Sequence, residues 1–351
     1  LSPLHGRVVA IRIARRTSSA PAVACPASLA FARSTSRTDL AHAALPRAPE
    51  WTGGAGYVID RFVPIDCASI PITDLGFLRA DAVYDVVTVS RGHFFRLKSH
   101  QERFARSCAR MKLTNPFEAE AEARLLHKLV AKTGLRDAYV WWTVTRGANP
   151  RVPADRLHPE RFTNRFYAFV IPYVFIKEDK DRQVGINLMV SRDYIRIPQN
   201  AVDPRAKNFC SLDLNMSLME AGASGAHWSV MTDGNGRLTE SPGSNIFILK
   251  GGRILTPDNG CLEGVTGQTV FELGAKVGIE VKAEKVTTAD LEAADEVFLT
   301  SSAGGIIPVS AVDGKQLSAG VGPVTTRLHN LYWELRWQGW HGTAVDYGDE
   351  E

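Results

Sequence analysis

The sequence has few of the features that mark membrane, secreted or metal-binding proteins. None of its apolar runs approaches the ~18 residues that a membrane-spanning helix needs. Its five cysteines are far apart and form neither a Cys-x-x-Cys pair nor a His and Cys cluster at metal-ligand spacing. We therefore expect a soluble globular protein with no membrane partner, no metal and reduced structural thiols, as in a cytosolic or matrix compartment.

Acidic residues are missing from the start of the chain. Asp39 is the first of them, and residues 1–50 carry seven arginines against two acids, a net charge of +5. The whole chain carries +3, so the remaining residues sum to −2. They lack the basic surface that a nucleic-acid partner requires. The Arg-rich, Ser-rich residues 1–52 predict a disordered tail or a targeting extension. The expected location is the cytoplasm, or the mitochondrial matrix if the extension is a transit peptide.

The first half of the remaining chain predicts a compact α/β unit. Two β-runs lie on either side of Arg91-Gly92, which predicts a hairpin. Helical patterns follow over 98–111 and 119–132, and two further β-runs come after them. We assign residues 53–172 to a small α/β domain and the strongly charged stretch 173–182 to a linker.

The second half mixes hairpins with helices. A hairpin turns at Gly251-Gly252, and a helix begins near Thr266. Paired strands interrupted by helices favour an α+β fold over a doubly wound sheet. Residues 183–347 are therefore predicted to form a second, larger domain.

Three groups in the second half match the needs of one cofactor. Lys207 supplies a primary amine, Glu240 a carboxylate, and the Gly264-Val265-Thr266 turn a helix start, all within 60 residues. Taken singly, they fit a surface lysine, a turn acid and a Thr-capped helix. Taken together, they predict pyridoxal 5′-phosphate (PLP), which needs an amine for its aldehyde, a carboxylate for its ring nitrogen and donors for its phosphate.

The phosphate of PLP requires several donors. The backbone N–H groups of Val265 and Thr266, the Thr266 hydroxyl and the Arg103 guanidinium are predicted to form its binding site. Ser301 and Ser302, just before a Gly-Gly pair, are expected to add hydroxyl and backbone donors. Alternatively, Arg103 is a solvated helix residue and the two serines form a plain turn.

The sequence resembles a known family in several further segments. They are Gly76-Phe77, Tyr84 to Val87, His100 to Arg103, and Ser301 to Gly305. With Lys207, Glu240 and Thr266, these segments resemble the fold-type IV PLP enzymes: branched-chain aminotransferases, D-amino-acid transaminases, R-selective amine transaminases and aminodeoxychorismate lyases. The likeness runs from about Gly56 to Tyr347 and is strongest to the R-selective branch, through GFLRADAVYDVVTVSRGHFFRL and LTPDNGCLEGVT.

This resemblance implies a fold and a function. The expected fold is a small α/β N-terminal domain with a larger, mixed β-barrel-like C-terminal domain, assembled as a homodimer. The expected activity is a transaminase that moves an amino group from an R-amine or a D-amino acid to an α-keto acid. Both substrates are small molecules, and Lys207 is the expected catalytic residue.

The resemblance also indicates residues that contact substrate. Tyr84 corresponds to an active-site tyrosine of the R-selective branch, and Arg79 lies where that branch usually carries a histidine. Arg151 matches a mobile arginine that meets substrate carboxylates. Structural alternatives are that Arg79 pairs with Asp81 or Asp74 and that Arg151 is an ordinary loop residue.

Other members of the family remain alternatives for the activity. A branched-chain L-amino-acid aminotransferase would use the same cofactor groups, but LRADAVYDVV replaces its YGxGxFEG-like segment. A lyase of the aminodeoxychorismate type would eliminate pyruvate instead of transferring an amino group. A PLP-binding protein without activity is disfavoured because Lys207 and Glu240 are both present.

Overall fold

The computed structural model describes residues 49–148, 156–177 and 183–348. The extension over residues 1–48 and the predicted substrate residue Arg151 lie outside the described residues. The strands are β1 Ala55–Val58, β2 Arg61–Pro64, β3 Ala82–Ser90, β4 His93–Phe95, β5 Ala138–Thr145, β6 Arg165–Pro172, β7 Ile186–Val190, β8 Trp228–Val230, β9 Asn245–Lys250, β10 Arg253–Pro257, β11 Val281–Glu284, β12 Glu296–Ser301, β13 Gly305–Val312, β14 Lys315–Gln316 and β15 Gly342–Ala344. The α-helices are α1 Leu75–Arg79, α2 Leu97–Arg110, α3 Ala119–Thr133, α4 Leu212–Ala223, α5 Val265–Val277, α6 Thr288–Glu292 and α7 Pro323–Trp337.

The first sheet has seven strands in the order β15-β4-β3-β5-β6-β1-β2, and all its pairs are antiparallel. The predicted hairpin at Arg91-Gly92 joins β3 to β4, and both residues have positive φ, as a tight turn between strands requires. One face of this sheet packs on α2 and α3 through a core that includes Val87, Phe104 and Leu126. The opposite face is left for the site described below.

The predicted helices of this region are confirmed within one residue at each end. Helix α3 ends at Gly134, whose φ of 66° places it in the left-handed region and lets its N–H bond the Ala131 carbonyl. Such a glycine ends a helix without the strain that a side chain would add. The apolar period of the sequence therefore indicates the helix, and this glycine indicates where it ends.

The second sheet runs in the order β11-β10-β9-β12-β13-β7-β8, with β14 paired to β13. Both of its faces are apolar. Along β9, Ile246 and Ile248 enter one core cluster, whereas Phe247 and Leu249 enter another that α5 and α7 cover. This alternation follows from the two-residue period of a strand, and a sheet buried on both faces needs apolar residues at every position.

The α+β prediction is confirmed by these two sheets and their helices. The predicted domain boundaries stay a prediction, and one strand crosses them: Gly342–Ala344 pairs with β4 in the first sheet. In the described ranges, no helix has the length and apolar character needed to cross a bilayer, and no group of three or more potential ligands is placed to hold a metal ion.

Candidate active site

A cavity of about 430 Å³ receives residues from both sheets. It brings together most of the residues that the sequence predicts for the site: Tyr84, Arg103, Lys207, Glu240, Val265, Thr266, Ser301 and Ser302. These residues are distant in sequence, so the fold alone makes them neighbours. Their chemical roles stay predictions, and their shared location is a finding.

Hydrogen bonds fix the backbone of Lys207 on both sides, and its side chain extends along the cavity lining. Its N–H donates to Ser107 Oγ at 3.0 Å, and its carbonyl accepts from the Tyr84 N–H at 2.9 Å. The ammonium nitrogen lies 4.4 Å from the centre of the Tyr84 ring. A cation above an aromatic face is stabilised there, so the amine is kept at the cavity wall on a stem with a fixed origin.

Glu240 is buried, with both carboxylate oxygens engaged. Oε1 accepts from Arg196 Nε at 2.8 Å, and Oε2 accepts from the Leu262 N–H at 3.0 Å. Burial raises the pKa of Glu240, while Arg196, the Leu262 N–H and Lys207 act against this rise. A carboxylate in such a place can accept a further proton donor from the cavity, because each oxygen has a second lone pair.

Helix α5 begins at the cavity with Gly264 as its N-cap. Within the described chain, no side chain caps this start, so its first N–H groups are available for an anion, which the helix dipole also favours. A Cβ at Gly264 would overlap Asn245 Oδ1. Asn245 in turn donates from Nδ2 to the Leu262 carbonyl at 2.8 Å, which fixes the segment before the helix.

Arg103 belongs to a buried ionic cluster at the edge of the cavity. Its Nε and Nη2 donate to the two oxygens of Asp85 at 2.8 and 2.7 Å, and Nη1 donates to the Glu263 carbonyl at 3.4 Å. His100 Nδ1 lies 2.7 Å from Asp85 Oδ1. Burial alone would raise the pKa of Asp85, but Arg103 and His100 hold it well below its usual range. Burial lowers the pKa of His100. The cluster orients the Arg103 guanidinium beside the start of α5.

The turn that follows β12 is fixed from two directions. Ser301 and Ser302 line the cavity, and the Ser302 carbonyl accepts from the Tyr173 hydroxyl at 3.2 Å and Thr88 Oγ1 at 3.4 Å. Arg336 of helix α7 donates to Thr88 Oγ1 at 2.9 Å and to the Tyr173 hydroxyl at 3.4 Å. The serine turn is therefore held between the first sheet and the last helix.

One wall of the cavity is apolar and partly aromatic. Its residues come from β3, β5, β6 and the segment that follows: Tyr84, Val86, Tyr139, Ile171, Val174 and Ile176. Tyr84 is supported from behind, since its ring stacks on Trp141 at 5.8 Å and meets Phe209 edge-on at 5.6 Å. A rigid wall of this kind favours an apolar substituent on the ligand.

Among the described residues, Arg79 is the predicted site residue that does not line the cavity. It ends helix α1 and is exposed. The two acids proposed as its structural partners are occupied by others: Asp81 by Arg146 at 3.0 Å, and Asp74 by the Tyr167 hydroxyl at 2.9 Å. Its contact with substrate stays a prediction.

Two residues of the site were given no role from the sequence. In the sequence, Asp85 is part of a motif shared with the family, and no pattern marks Arg196. Both act through partners distant in the chain, 18 residues away for Asp85 with Arg103 and 44 for Arg196 with Glu240. The available signal was a charged residue inside an apolar strand pattern, at Asp85 in YDVV.

These residues fit PLP by their donor chemistry. The cavity is lined by the Lys207 amine, by the buried Glu240 carboxylate and by the uncapped start of α5 beside Arg103. An aldehyde, a ring nitrogen and a phosphate group each have a matching partner in this set. A side chain at Gly264 would overlap Asn245, so a glycine is needed for the start of α5 to lie this close to that residue.

The chain matches a family of known proteins. Residues 82–312 match the model of the family described as amino-transferase class IV. The chain is 32% identical over 288 residues to a D-alanine aminotransferase of Listeria innocua, covering 79% of this chain and 94% of that protein. It is 29% identical over 285 residues to a putative branched-chain-amino-acid aminotransferase of Methanocaldococcus jannaschii, covering 80% and 96%.

Solved structures agree with this comparison. A branched-chain aminotransferase of Thermoproteus uzoniensis, solved with norvaline, superposes with a TM-score of 0.74 at 25% identity, covering 83% of this chain and 99% of that one. A branched-chain amino acid aminotransferase of T.th., solved with pyridoxamine 5′-phosphate, gives a TM-score of 0.76 at 26% identity, covering 84% and 99%. The cavity thus lies in a fold shared with proteins that carry this cofactor.

Proposed function

Since this chain belongs to the class IV aminotransferases, which use PLP, we propose that it transfers an amino group from an R-amine or a D-amino acid to an α-keto acid. The main support for this choice of donor is that the two arginines in the described cavity lining are already paired with acids. In the described lining, Arg103 is bound by Asp85 and Arg196 by Glu240, and Lys207 is the amine that takes the aldehyde. An amine donor whose substituent is uncharged has no carboxylate, so it needs no further cation in the cavity.

The apolar wall supports the same donors. A methyl or aryl substituent removes apolar surface from water when it packs on this wall, at roughly 25 cal/mol per Å². The carboxylate of a keto acid or an amino acid requires a donor in addition, and we assign that role to Arg151, with Tyr84 beside the amino group. The similarity to the Listeria innocua D-alanine aminotransferase supports a D-amino acid as the donor.

A branched-chain L-amino-acid aminotransferase is the second candidate. It is supported by the Methanocaldococcus jannaschii relative and by the superposed branched-chain aminotransferase structures. The apolar wall also suits a branched aliphatic side chain. Configuration at the amine carbon therefore separates the two candidates better than size or polarity does.

The residues divide the chemical work among them. When bound, PLP supplies an aldehyde for capturing the amine and a ring that withdraws electrons. Lys207 Nζ would take the proton from the donor Cα and deliver it to the aldehyde carbon of the cofactor, because an amine on a flexible stem can reach both positions. Glu240 would keep a proton at the ring nitrogen, while Arg103, Thr266, Ser301, Ser302 and the start of α5 would bind the phosphate.

We also propose that the enzyme is a homodimer and acts in the cytoplasm, or in the mitochondrial matrix if its basic extension directs it there. The dimer is supported by a patch of exposed apolar side chains in and before α1, which we call the α1 patch: Ile70, Ile72, Phe77 and Leu78. Large apolar side chains that cluster on a surface favour association.

A panel of donors tests the proposed activity. Purified enzyme with PLP is given (R)- or (S)-phenylethylamine, D-alanine, D-glutamate or L-leucine, each with pyruvate and with 2-oxoglutarate. We expect the fastest transfer from the R-amine or a D-amino acid. L-Leucine as the best donor, with no R-amine turnover, would establish the branched-chain alternative, and pyruvate release without an acceptor would indicate a lyase.

A further inference from the structure

Glu240 is one member of a row of three charged groups. Arg196 contacts it, with 7% of its side chain exposed, and bridges two acids. Its Nε donates to Glu240 Oε1 at 2.8 Å, and its Nη1 donates to Asp213 Oδ2 at 2.6 Å. The row therefore runs Asp213, Arg196, Glu240, and its last two members line the cavity.

Arg196 and Asp213 are each fixed by a hydrogen bond to the backbone. The Arg196 N–H donates to the Thr232 carbonyl at 2.9 Å, and the Ile197 N–H donates to Asp213 Oδ2 at 2.7 Å. Asp213 also lies in the first turn of helix α4, where the helix dipole stabilises a negative charge. The guanidinium is therefore held between the two carboxylates.

The charges of the row do not cancel. Asp213 and Glu240 contribute two negative charges and Arg196 one positive charge, so the row carries a net charge of −1. Among the described residues, the buried Oδ1 of Asp213 has no hydrogen-bond partner, which leaves that acid to be compensated mainly by Arg196. Lys207 and the Cys261 thiol are the other titratable groups near Glu240. A buried net charge is costly unless it is paired.

We propose that Arg196 and Asp213 are positioning residues that keep Glu240 ionised and aimed at the cavity, so that a protonated ring nitrogen of the cofactor completes the charge of the row. Arg196 opposes the tendency of burial to protonate Glu240. Asp213 withdraws part of the Arg196 charge, so that Glu240 is not fully neutralised from behind. The two residues touch neither substrate nor reacting atoms in this assignment.

Cofactor binding tests the proposal without relying on turnover. Wild-type apoenzyme, Arg196→Gln and Asp213→Asn are titrated with PLP and with an analogue in which a carbon replaces the ring nitrogen. We expect the wild type to bind PLP at least about tenfold more tightly than the analogue, since the analogue cannot donate to Glu240. Both variants should lose most of this preference. Arg192→Gln is the matched control, because Arg192 lies four residues earlier and its side chain is 75% exposed beside Asp313.

The size of the preference, and not the affinity itself, decides the outcome. A variant that binds both cofactors more weakly by the same factor has lost only local structure and would overturn the proposal. An unchanged preference in both variants would overturn it as well. If Arg196→Gln does not fold, Asp213→Asn decides alone, because an asparagine keeps an acceptor oxygen for Arg196 and the Ile197 N–H and removes one negative charge from the row.

Discussion

At the residue scale, the ionic cluster around Asp85 links stability to the site. Asp85 is fully buried, and Arg103 holds it by two nitrogens. Removing one partner of a buried ion pair leaves the other charge uncompensated, which costs much more than the pair itself contributes. The same guanidinium is predicted to bind the phosphate, so its orientation depends on this carboxylate.

We predict that Asp85→Asn lowers the free energy of unfolding by roughly 3–5 kcal/mol at neutral pH. The pKa of Asp85 is depressed in the folded protein, so the stability it contributes is present above its unfolded pKa of about 3.9 and is lost as the pH falls further, toward the folded pKa. Urea unfolding of both proteins at pH 7 and at several acidic values measures this difference.

The control for this prediction is Asp313→Asn. Asp313 pairs with the exposed Arg192 at 3.4 Å, and an exposed ion pair is worth about 0–1 kcal/mol. An Asp85→Asn effect as small as that of Asp313→Asn would mean that the buried cluster does not stabilise the fold.

Two arginines, Arg79 and Arg151, are predicted to meet substrate. We predict that Arg151→Ala raises the KM for 2-oxoglutarate by about 10- to 150-fold, as expected for the loss of one charge-assisted bidentate contact. The KM for an uncharged amine donor should change little. Arg79→Ala is the comparison, because Arg79 is exposed and absent from the cavity lining. Equal losses for keto acid and amine would show that Arg151 only supports its loop.

At the scale of the elements, the start of helix α5 makes the most specific prediction. In Gly264→Ala the new methyl group would overlap Asn245 Oδ1, so the helix start must shift away from the position that suits a phosphate. We predict an increase in the Kd for PLP of at least about tenfold, measured by fluorescence titration of the apoenzyme.

Two further variants make this prediction specific. Asn245→Ala should weaken PLP binding by itself, because it removes the bond to the Leu262 carbonyl. Adding Gly264→Ala to it should cost much less than in the wild type, since the overlap is gone. Gly222→Ala in helix α4 is the matched control, because a Cβ there meets nothing within 4 Å. Additive effects at 264 and 245 would contradict the account of the overlap.

Many elements were predictable because their signals are local. The sequence predicts the β3–β4 hairpin from the turn at Arg91-Gly92, and it predicts α2 and α3 from their apolar periods. The Gly234-Asn235-Gly236 turn is typical of a hairpin, but the segment after it forms no strand and makes two isolated bridges, Thr232 with Leu238 and Arg237 with Thr287. Its pairing depends on neighbours that the local pattern does not contain.

The site was predictable to the extent that its chemistry lies in single residues. Lys207, Glu240 and Thr266 each carry a group with a distinct use, and they share the cavity. Arg196 was missed because its role arises from Asp213 and Glu240 together, at separations of 17 and 44 residues. Long-range pairs of this kind leave no periodic or spacing signal in the sequence.

At the scale of the whole molecule, the last helix ties the two sheets together. Arg336 of α7 is buried, bonds Thr88 of the first sheet and lies 5.1 Å from the centre of the Phe95 ring. The strand β15 then follows α7 and closes the edge of the first sheet. The serine turn at the cavity depends on the same contacts, so the C-terminal segment contributes to the site although it lines none of the cavity.

The proposed dimer gives a prediction at this scale. Phe77 is 65% exposed within the α1 patch, and a glutamate there would introduce a charge into an apolar contact. We predict that Phe77→Glu is monomeric by light scattering at micromolar concentration, whereas the wild type and Met219→Glu, an exposed position in α4, are dimers. A monomeric wild type would contradict the proposal.

The central claim is that Lys207 binds the aldehyde of PLP, and one measurement tests it most directly. The enzyme is reconstituted with PLP, reduced with borohydride to make the link permanent, digested and analysed by mass spectrometry. We predict a pyridoxyl group on the peptide that contains Lys207, and no such modification in Lys207→Ala treated in the same way. A pyridoxyl group on another lysine, or on none, would contradict the assignment.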